Sequence, residues 1–294
     1  MTTRILATEF DYLKPATLEE ALKILAEKEN VRILAGGTDV IVKMKVAGMT
    51  CDYLMDIKGI DALDYAKLDD KGVFHIGALA KLSHLEKDPV IAERYPALKE
   101  AFHLMASISV RNMATMAGNF CNASPVADSV VPSICYNAVL TLASVRGERT
   151  VPVEKFFLAP GVTVMEKDEM LVDIALPQPE ANSGDAFIKK TRVRPDIAKI
   201  SVGARVIRDG EKACFCRIAM GAIAATPAYL EETSALFVGK KVTPELIAEV
   251  AAHASASIRP IDDNRTTAEY RVAIAEVLTK DALTEAWRNA GGEL

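Results

Sequence analysis

At 294 residues, half of them hydrophobic and 26% charged, the chain is long enough for two folded units and has the make-up of an ordinary globular protein. A net charge of −5 and a pI of about 5.6 argue against a nucleic-acid partner, which needs a basic face. No stretch approaches the ~18 consecutive apolar residues of a membrane span.

The five cysteines are scattered, and no His or Cys spacing matches a metal site, so redox chemistry on this chain requires an organic cofactor. Met1-Thr2-Thr3-Arg4-Ile5 lacks the apolar stretch of a signal peptide, and the expected compartment is the cytoplasm.

Taken in order, Thr17-Leu18-Glu19-Glu20 reads as a capping box with Thr17 as N-cap, opening a helix with Leu18, Ala21, Leu22 and Leu25 on one stripe. Residues 31–35 read as a short strand running into Gly36-Gly37, residues 52–57 and 73–78 as further strands, and 90–107 as a helix. Residues 123–129 open an apolar helical stretch to about Tyr136. Strands follow at 138–145, with a turn at Arg146-Gly147-Glu148, and at 170–176. Residues 177–184, with two prolines and a glycine, read as a linker.

Beyond it, strands are expected at 186–191, 200–208 and 214–222, with a hairpin at Gly210. Cys214 and Cys216, two apart, should share a strand face. Thr243 caps a helix with Pro244 at its first position and Leu246, Ile247, Val250, Ala251 and Ala254 as its stripe. Thr266-Thr267-Ala268-Glu269 reads as a second capping box, followed by Val272, Ile274, Val277, Leu278 and Leu283. The fold class is α+β, divided into domains at 1–178 (subdomains about 1–57 and 58–178) and 185–294.

Two segments carry chemistry. In Ile33-Leu34-Ala35-Gly36-Gly37-Thr38-Asp39-Val40 a strand ends in two glycines, a hydroxyl and an acid. Adjacent glycines permit positive φ and let a ligand approach the backbone, and free amides in such a turn form an anion nest suited to a diphosphate. An ordinary turn has the same residues. Asp39 repels phosphate, so its carboxylate is expected on amides of its own loop. The pattern is neither G-x-G-x-x-G nor a P-loop. The second segment, Thr115-Met116-Ala117-Gly118-Asn119, gathers small and polar residues, and Asp128 follows near the start of the next helix. A carboxylate there accepts from ligand hydroxyls or simply favours the positive helix end.

In this order and separation, the two segments resemble those of the FAD-binding subunit of molybdenum hydroxylases, the family of xanthine, nicotinate and carbon monoxide dehydrogenase flavoproteins. The likeness covers nearly the whole chain. Phe10-Asp11-Tyr12-Leu13-Lys14-Pro15-Ala16-Thr17-Leu18-Glu19-Glu20-Ala21, Ala123-Ser124-Pro125, Arg217-Ile218-Ala219-Met220-Gly221-Ala222, and Asp263-Asn264-Arg265 with Glu269-Tyr270-Arg271 share in it.

It implies a vanillyl-alcohol-oxidase-like (PCMH-type) FAD-binding domain of two subdomains plus a C-terminal domain of antiparallel sheet and helices. FAD would lie between the subdomains. Its pyrophosphate would rest on the 33–40 segment, with Thr115, Met116, Ala117, Gly118, Asn119 and Ser124 on the other side and Asp128 on its hydroxyls. Met105 falls where some relatives place an aromatic residue against the flavin, and Ala106 beside it belongs to the same implied site. Leu171 falls where main chain faces the flavin. Lys189, in Phe187-Ile188-Lys189-Lys190-Thr191-Arg192, is the implied cation near the ring system, where it would stabilise negative charge on reduced flavin. Asp196-Ile197-Ala198 belongs to a loop near the acceptor's face. Ala117 stands where the family usually has glycine; a positive φ there would force the segment to shift.

The implied function is electron transfer. Electrons come from [2Fe-2S] clusters of a small partner subunit and pass through FAD to NAD⁺ or another acceptor. A substrate, an N-heterocycle such as a purine or an aldehyde, is oxidised at a molybdopterin centre on a large partner subunit. No residue of this chain is expected to act as an acid or base, and no iron–sulfur cluster is expected on it. A stand-alone PCMH-type flavin oxidoreductase and a nucleotide-binding assembly protein are the alternatives.

Overall fold

The computed structural model describes residues 9–294, so the reading of residues 1–5 lies outside the described residues. Asp11–Leu13, Tyr53–Asp56 and Val31–Leu34 form a parallel sheet with Tyr53–Asp56 in the middle. Parallel neighbours need crossover connections, and the helices Leu18–Glu27 and Val40–Val46 lie within them. Thr17 caps the first helix, accepting from the Glu20 amide at 3.2 Å, while Glu20 reaches back to the Ala16 amide rather than to that of Thr17.

A five-stranded antiparallel sheet follows, ordered Ala66–Leu68, Phe74–Gly77, Met170–Leu176, Val139–Ser144, Gly147–Pro152. The single helix expected over 90–107 is two, Pro89–Arg94 and Pro96–Leu104. Tyr95 precedes a proline and is pushed out of helical conformation. The chain then reverses at Ala106, which has a φ of 46°. The second glycine segment is not a loop. Thr115 caps a short helix, Met116–Cys121, by accepting from the Gly118 amide at 3.0 Å. Ala117 is helical and needs no positive φ, so the segment is not forced to shift by the family's missing glycine.

The last sheet is antiparallel, ordered Ser183–Lys190, Ile200–Asp209, Lys212–Gly221, Ala228–Tyr229. Ser183 and Gly184 are already paired in it, so the irregular link is shorter than its composition suggests. A register shift between Ile207 and Arg208 leaves Cys214 as the extra residue of a bulge. Cys214 is therefore exposed while Cys216 is buried, and the two do not share a face. Pro244–Ser257 and Ala268–Asn289 cover one face of this sheet. The second cap is Thr267, which accepts from the Tyr270 amide, rather than Thr266; Val277 lies outside the buried stripe.

The other face receives the N-terminal half. The helix Val130–Cys135 packs so close that a β-carbon on Gly203 would sit 3.0 Å from Val131 Cγ1 and 3.2 Å from Cys135 Sγ. The helix Pro96–Leu104 docks on Ser183–Lys190, where Asp185 accepts from the Ala97 amide at 2.7 Å. This docking brings Leu104, Asp128 and Lys189 together. Among the described residues, no helix is long and apolar enough to cross a membrane.

Candidate functional site

A cavity of about 440 Å³ lies between the parallel sheet, the helix Met116–Cys121 and the first strand of the C-terminal sheet. Its first wall is the turn after Val31–Leu34. Gly37 takes a φ of 73°, which only glycine adopts cheaply. Gly36 is needed for a different reason: a β-carbon there would meet the Met113 carbonyl oxygen at 2.1 Å. The amides of Gly36, Gly37, Thr38 and Asp39 find no acceptor among the described residues. Ile33, Ala35, Thr38, Asp39 and Val40 line the cavity beside the glycines. Leu34 does not; it packs with Met44, Cys51 and Leu54. The expected tie between Asp39 and its own loop is also not formed, because the Asp39 carboxylate is exposed and makes no capping hydrogen bond.

The second wall is Thr115, Ala117, Gly118, Asn119 and Ser124. Met116 faces the core and is fully buried. Asn119 accepts from the Ser129 hydroxyl at 2.7 Å, leaving its amide nitrogen for a ligand. Met105, Ala106 and Leu171 complete an apolar side. Leu171 sits at a register shift in the strand Met170–Leu176, which disrupts the regular pairing there.

The floor is charged. Lys189 Nζ lies 2.7 Å from Asp128 Oδ2 and donates to the Leu104 carbonyl at 3.2 Å. Both side chains are buried, so Lys189 is not a solvated strand lysine. Burial pushes the Asp128 carboxyl up to about 6, against the opposing pull of Lys189. Asp128 Oδ1 is buried with no hydrogen-bond partner. A native structure keeps few such orphans, and one that lines a cavity points to a ligand donor. Pro195, Asp196 and Ile197 reach the cavity from the 191–199 loop.

Sequence reasoning missed Arg32, Lys43 and Asn122, all of which line the cavity. Lys43 lies one helical turn after Asp39, a spacing that places it on the same face. Its ammonium bonds Asn122, joining the two walls. Four free amides and two cations suit a diphosphate, the orphan Asp128 oxygen suits a hydroxyl, and Met105 with Leu171 suits an apolar ring. The residues present therefore fit FAD.

The fold and this cavity define a flavoprotein, and the comparisons with known proteins give its family. The family described as the FAD binding domain in molybdopterin dehydrogenase matches residues 8–179, and the CO dehydrogenase flavoprotein C-terminal domain matches residues 185–286. The chain belongs to this family of FAD-binding subunits. It is 30% identical over 285 residues to the xanthine dehydrogenase FAD-binding subunit of Escherichia coli O157:H7, covering 96% of this chain and 98% of that one. It is 31% identical over 277 residues to the glyceraldehyde dehydrogenase medium chain of Sulfolobus acidocaldarius, covering 94% and 98%. A chain of the solved carbon monoxide dehydrogenase from Hydrogenophaga pseudoflava superposes with a TM-score of 0.93 at 31% identity, covering 96% of this chain and 98% of that one.

Proposed function

We propose that this chain holds FAD along the cavity and acts as the electron-transfer subunit of a molybdenum hydroxylase complex in the cytoplasm. Electrons arrive from the [2Fe-2S] clusters of a small partner subunit and leave to NAD⁺ or another acceptor. A large partner subunit carries the molybdopterin centre, where an N-heterocycle or an aldehyde is oxidised. The FAD-binding domain spans 1–178, with subdomains meeting near residue 57, and the C-terminal domain spans 185–294.

The observation that carries this reading is one cavity shared by the free amides of residues 36–39 and the unpartnered Asp128 Oδ1. The turn 36–39 holds the pyrophosphate, aided by Lys43. Asn119, Ser124 and Asp128 hold hydroxyl groups, and Met105, Ala106 and Leu171 border the ring system with Lys189 beside it. FAD supplies the redox chemistry; the chain supplies binding, orientation and electrostatics. The relatives' names, medium chain and FAD-binding subunit, weigh against a stand-alone oxidoreductase.

Purified chain titrated with FAD should quench flavin fluorescence and retain flavin absorbance after desalting, and Gly37→Val should abolish retention. A folded chain that takes up no FAD overturns the reading. Co-purification of a molybdopterin chain and an iron–sulfur chain from native extract tests the assembly.

A further inference from the structure

Resting on the reading of the cavity as the FAD site, we propose that Arg111 is a positioning residue for the cofactor, acting through the turn 104–106. Helix ends leave carbonyls without partners. At the end of Pro96–Leu104 three successive carbonyls are each taken by a buried cation. Lys189 holds Leu104 at 3.2 Å, and Arg111 Nη1 holds Met105 at 2.9 Å and Ala106 at 3.1 Å. Two of these three residues, Met105 and Ala106, line the cavity.

The turn needs holding. Ala106 has a φ of 46°, a left-handed conformation that a β-carbon disfavours. Strain of this kind persists only where surrounding contacts over-determine it. Arg111 is itself fixed. Its Nε donates to Glu86 Oε2 at 2.9 Å, and only 6% of the residue is exposed. Glu86 also binds His103 Nδ1 at 2.7 Å, so the carboxylate is anchored on both sides. Arg111 ends the one-turn helix Ile108–Arg111, whose cap Ser107 directly follows Ala106. The guanidinium thus closes its own loop onto the strained residue. No other side chain reaches the Met105 and Ala106 carbonyls among the described residues. The planar fork matters, since one lysine nitrogen cannot hold Glu86 and two carbonyls in one geometry.

The test uses the full chain, native and variant, titrated with FAD and followed by flavin fluorescence and visible circular dichroism, with melting of the FAD-free chain alongside. Arg111→Ala should raise the FAD dissociation constant about tenfold, the effect of one lost charged hydrogen bond, and alter the visible dichroism of bound flavin. Arg111→Lys should fall between native and alanine; it carries the test if the alanine variant fails to fold. Adding Ala106→Gly, which removes the left-handed penalty, should restore most of the lost affinity to either variant. Native affinity and native dichroism in Arg111→Lys and Arg111→Ala overturn the proposal, as does a loss that Ala106→Gly leaves untouched. If the native chain itself binds no FAD, the FAD reading falls first and this proposal falls with it.

Discussion

Gly36 and Met113 touch backbone to backbone: a β-carbon on Gly36 would lie 2.1 Å from the Met113 carbonyl oxygen and 2.8 Å from Ala114 Cα. The glycine turn is thus packed against the residues that lead directly into the second segment. At Gly37 the obstacle is different, a φ of 73° with the flexible end of Leu34 nearby. Gly36→Ala must push the two main chains apart, which costs about 1–3 kcal/mol. Gly37→Ala incurs the left-handed penalty of about 1–2 kcal/mol and leaves the walls in place. Urea denaturation of the FAD-free chain should show both losses, while FAD retention should fall further in Gly36→Ala. Equal retention in the two variants would mean that the contact between segments does not shape the cavity.

The Asp128–Lys189 pair makes a second prediction. The two side chains are buried at 2.7 Å, and each comes from a different half of the chain. Removing one partner strands a buried charge, so Lys189→Met should destabilise the FAD-free chain by about 3–5 kcal/mol. The double variant Asp128→Asn/Lys189→Met should recover much of that loss, as a double-mutant cycle reads directly. In loaded protein, loss of the cation should lower the flavin reduction potential by roughly 30 mV, the two-electron equivalent of about 1.4 kcal/mol. An unchanged potential would leave Lys189 with a structural role alone.

Asp185 sets a pH dependence. Burial pushes its carboxyl up to about 6, against the opposing pull of the Ala97 amide, Tyr136 and Arg205. A carboxyl raised on folding favours the folded state most when protonated. Its contribution is fully present below the ordinary pKa of 3.8 and is lost as pH rises through about 6. A rise of that size corresponds to about 3 kcal/mol. Asparagine keeps an acceptor for Ala97 and carries no charge. Asp185→Asn should therefore gain stability relative to the native chain between about pH 4 and pH 6 and level off above. Melting temperatures across that range decide it; parallel curves would show that Asp185 does not titrate there.

Much of this was legible in the sequence because it depends on local rules. Thr17, Thr243 and the apolar stripes set helix starts and faces, and Gly36-Gly37 marks the turn. The rest was set by tertiary packing. Leu34 and Met116 sit within the right segments, yet their side chains turn to the core because only alternate faces reach the cavity. Thr115 begins a helix of six residues, too short for periodicity to reveal. The Asp128–Lys189 pair joins residues 61 positions apart and exists only because two helices of one half dock on the sheet of the other. Cys214 leaves its expected face through a bulge that no residue type announces.

Arg271 yields the last prediction. Only 2% of it is exposed, and its guanidinium donates to the Lys199 carbonyl at 2.8 Å, to Asp263 Oδ2 at 2.8 Å and to the Ile261 carbonyl. Lys199 ends the 191–199 loop whose Pro195, Asp196 and Ile197 reach the cavity, so the helix Ala268–Asn289 anchors that loop from behind. Burial works against the Asp263 charge, but Arg271 and the amides of Arg265 and Thr266 outweigh it and hold its carboxyl well below the usual range. A depressed carboxyl contributes fully above its ordinary pKa and loses that contribution as pH falls below it, so the anchor weakens in acid. Arg271→Lys keeps the charge but not the three-way grip. The loop's Arg192 is exposed and offers trypsin a site. Cleavage after Arg192 should run several-fold faster in Arg271→Lys than in the native chain, and bound FAD should slow it in both. An unchanged cleavage rate would show that the loop is held at the 196–197 end rather than by Arg271.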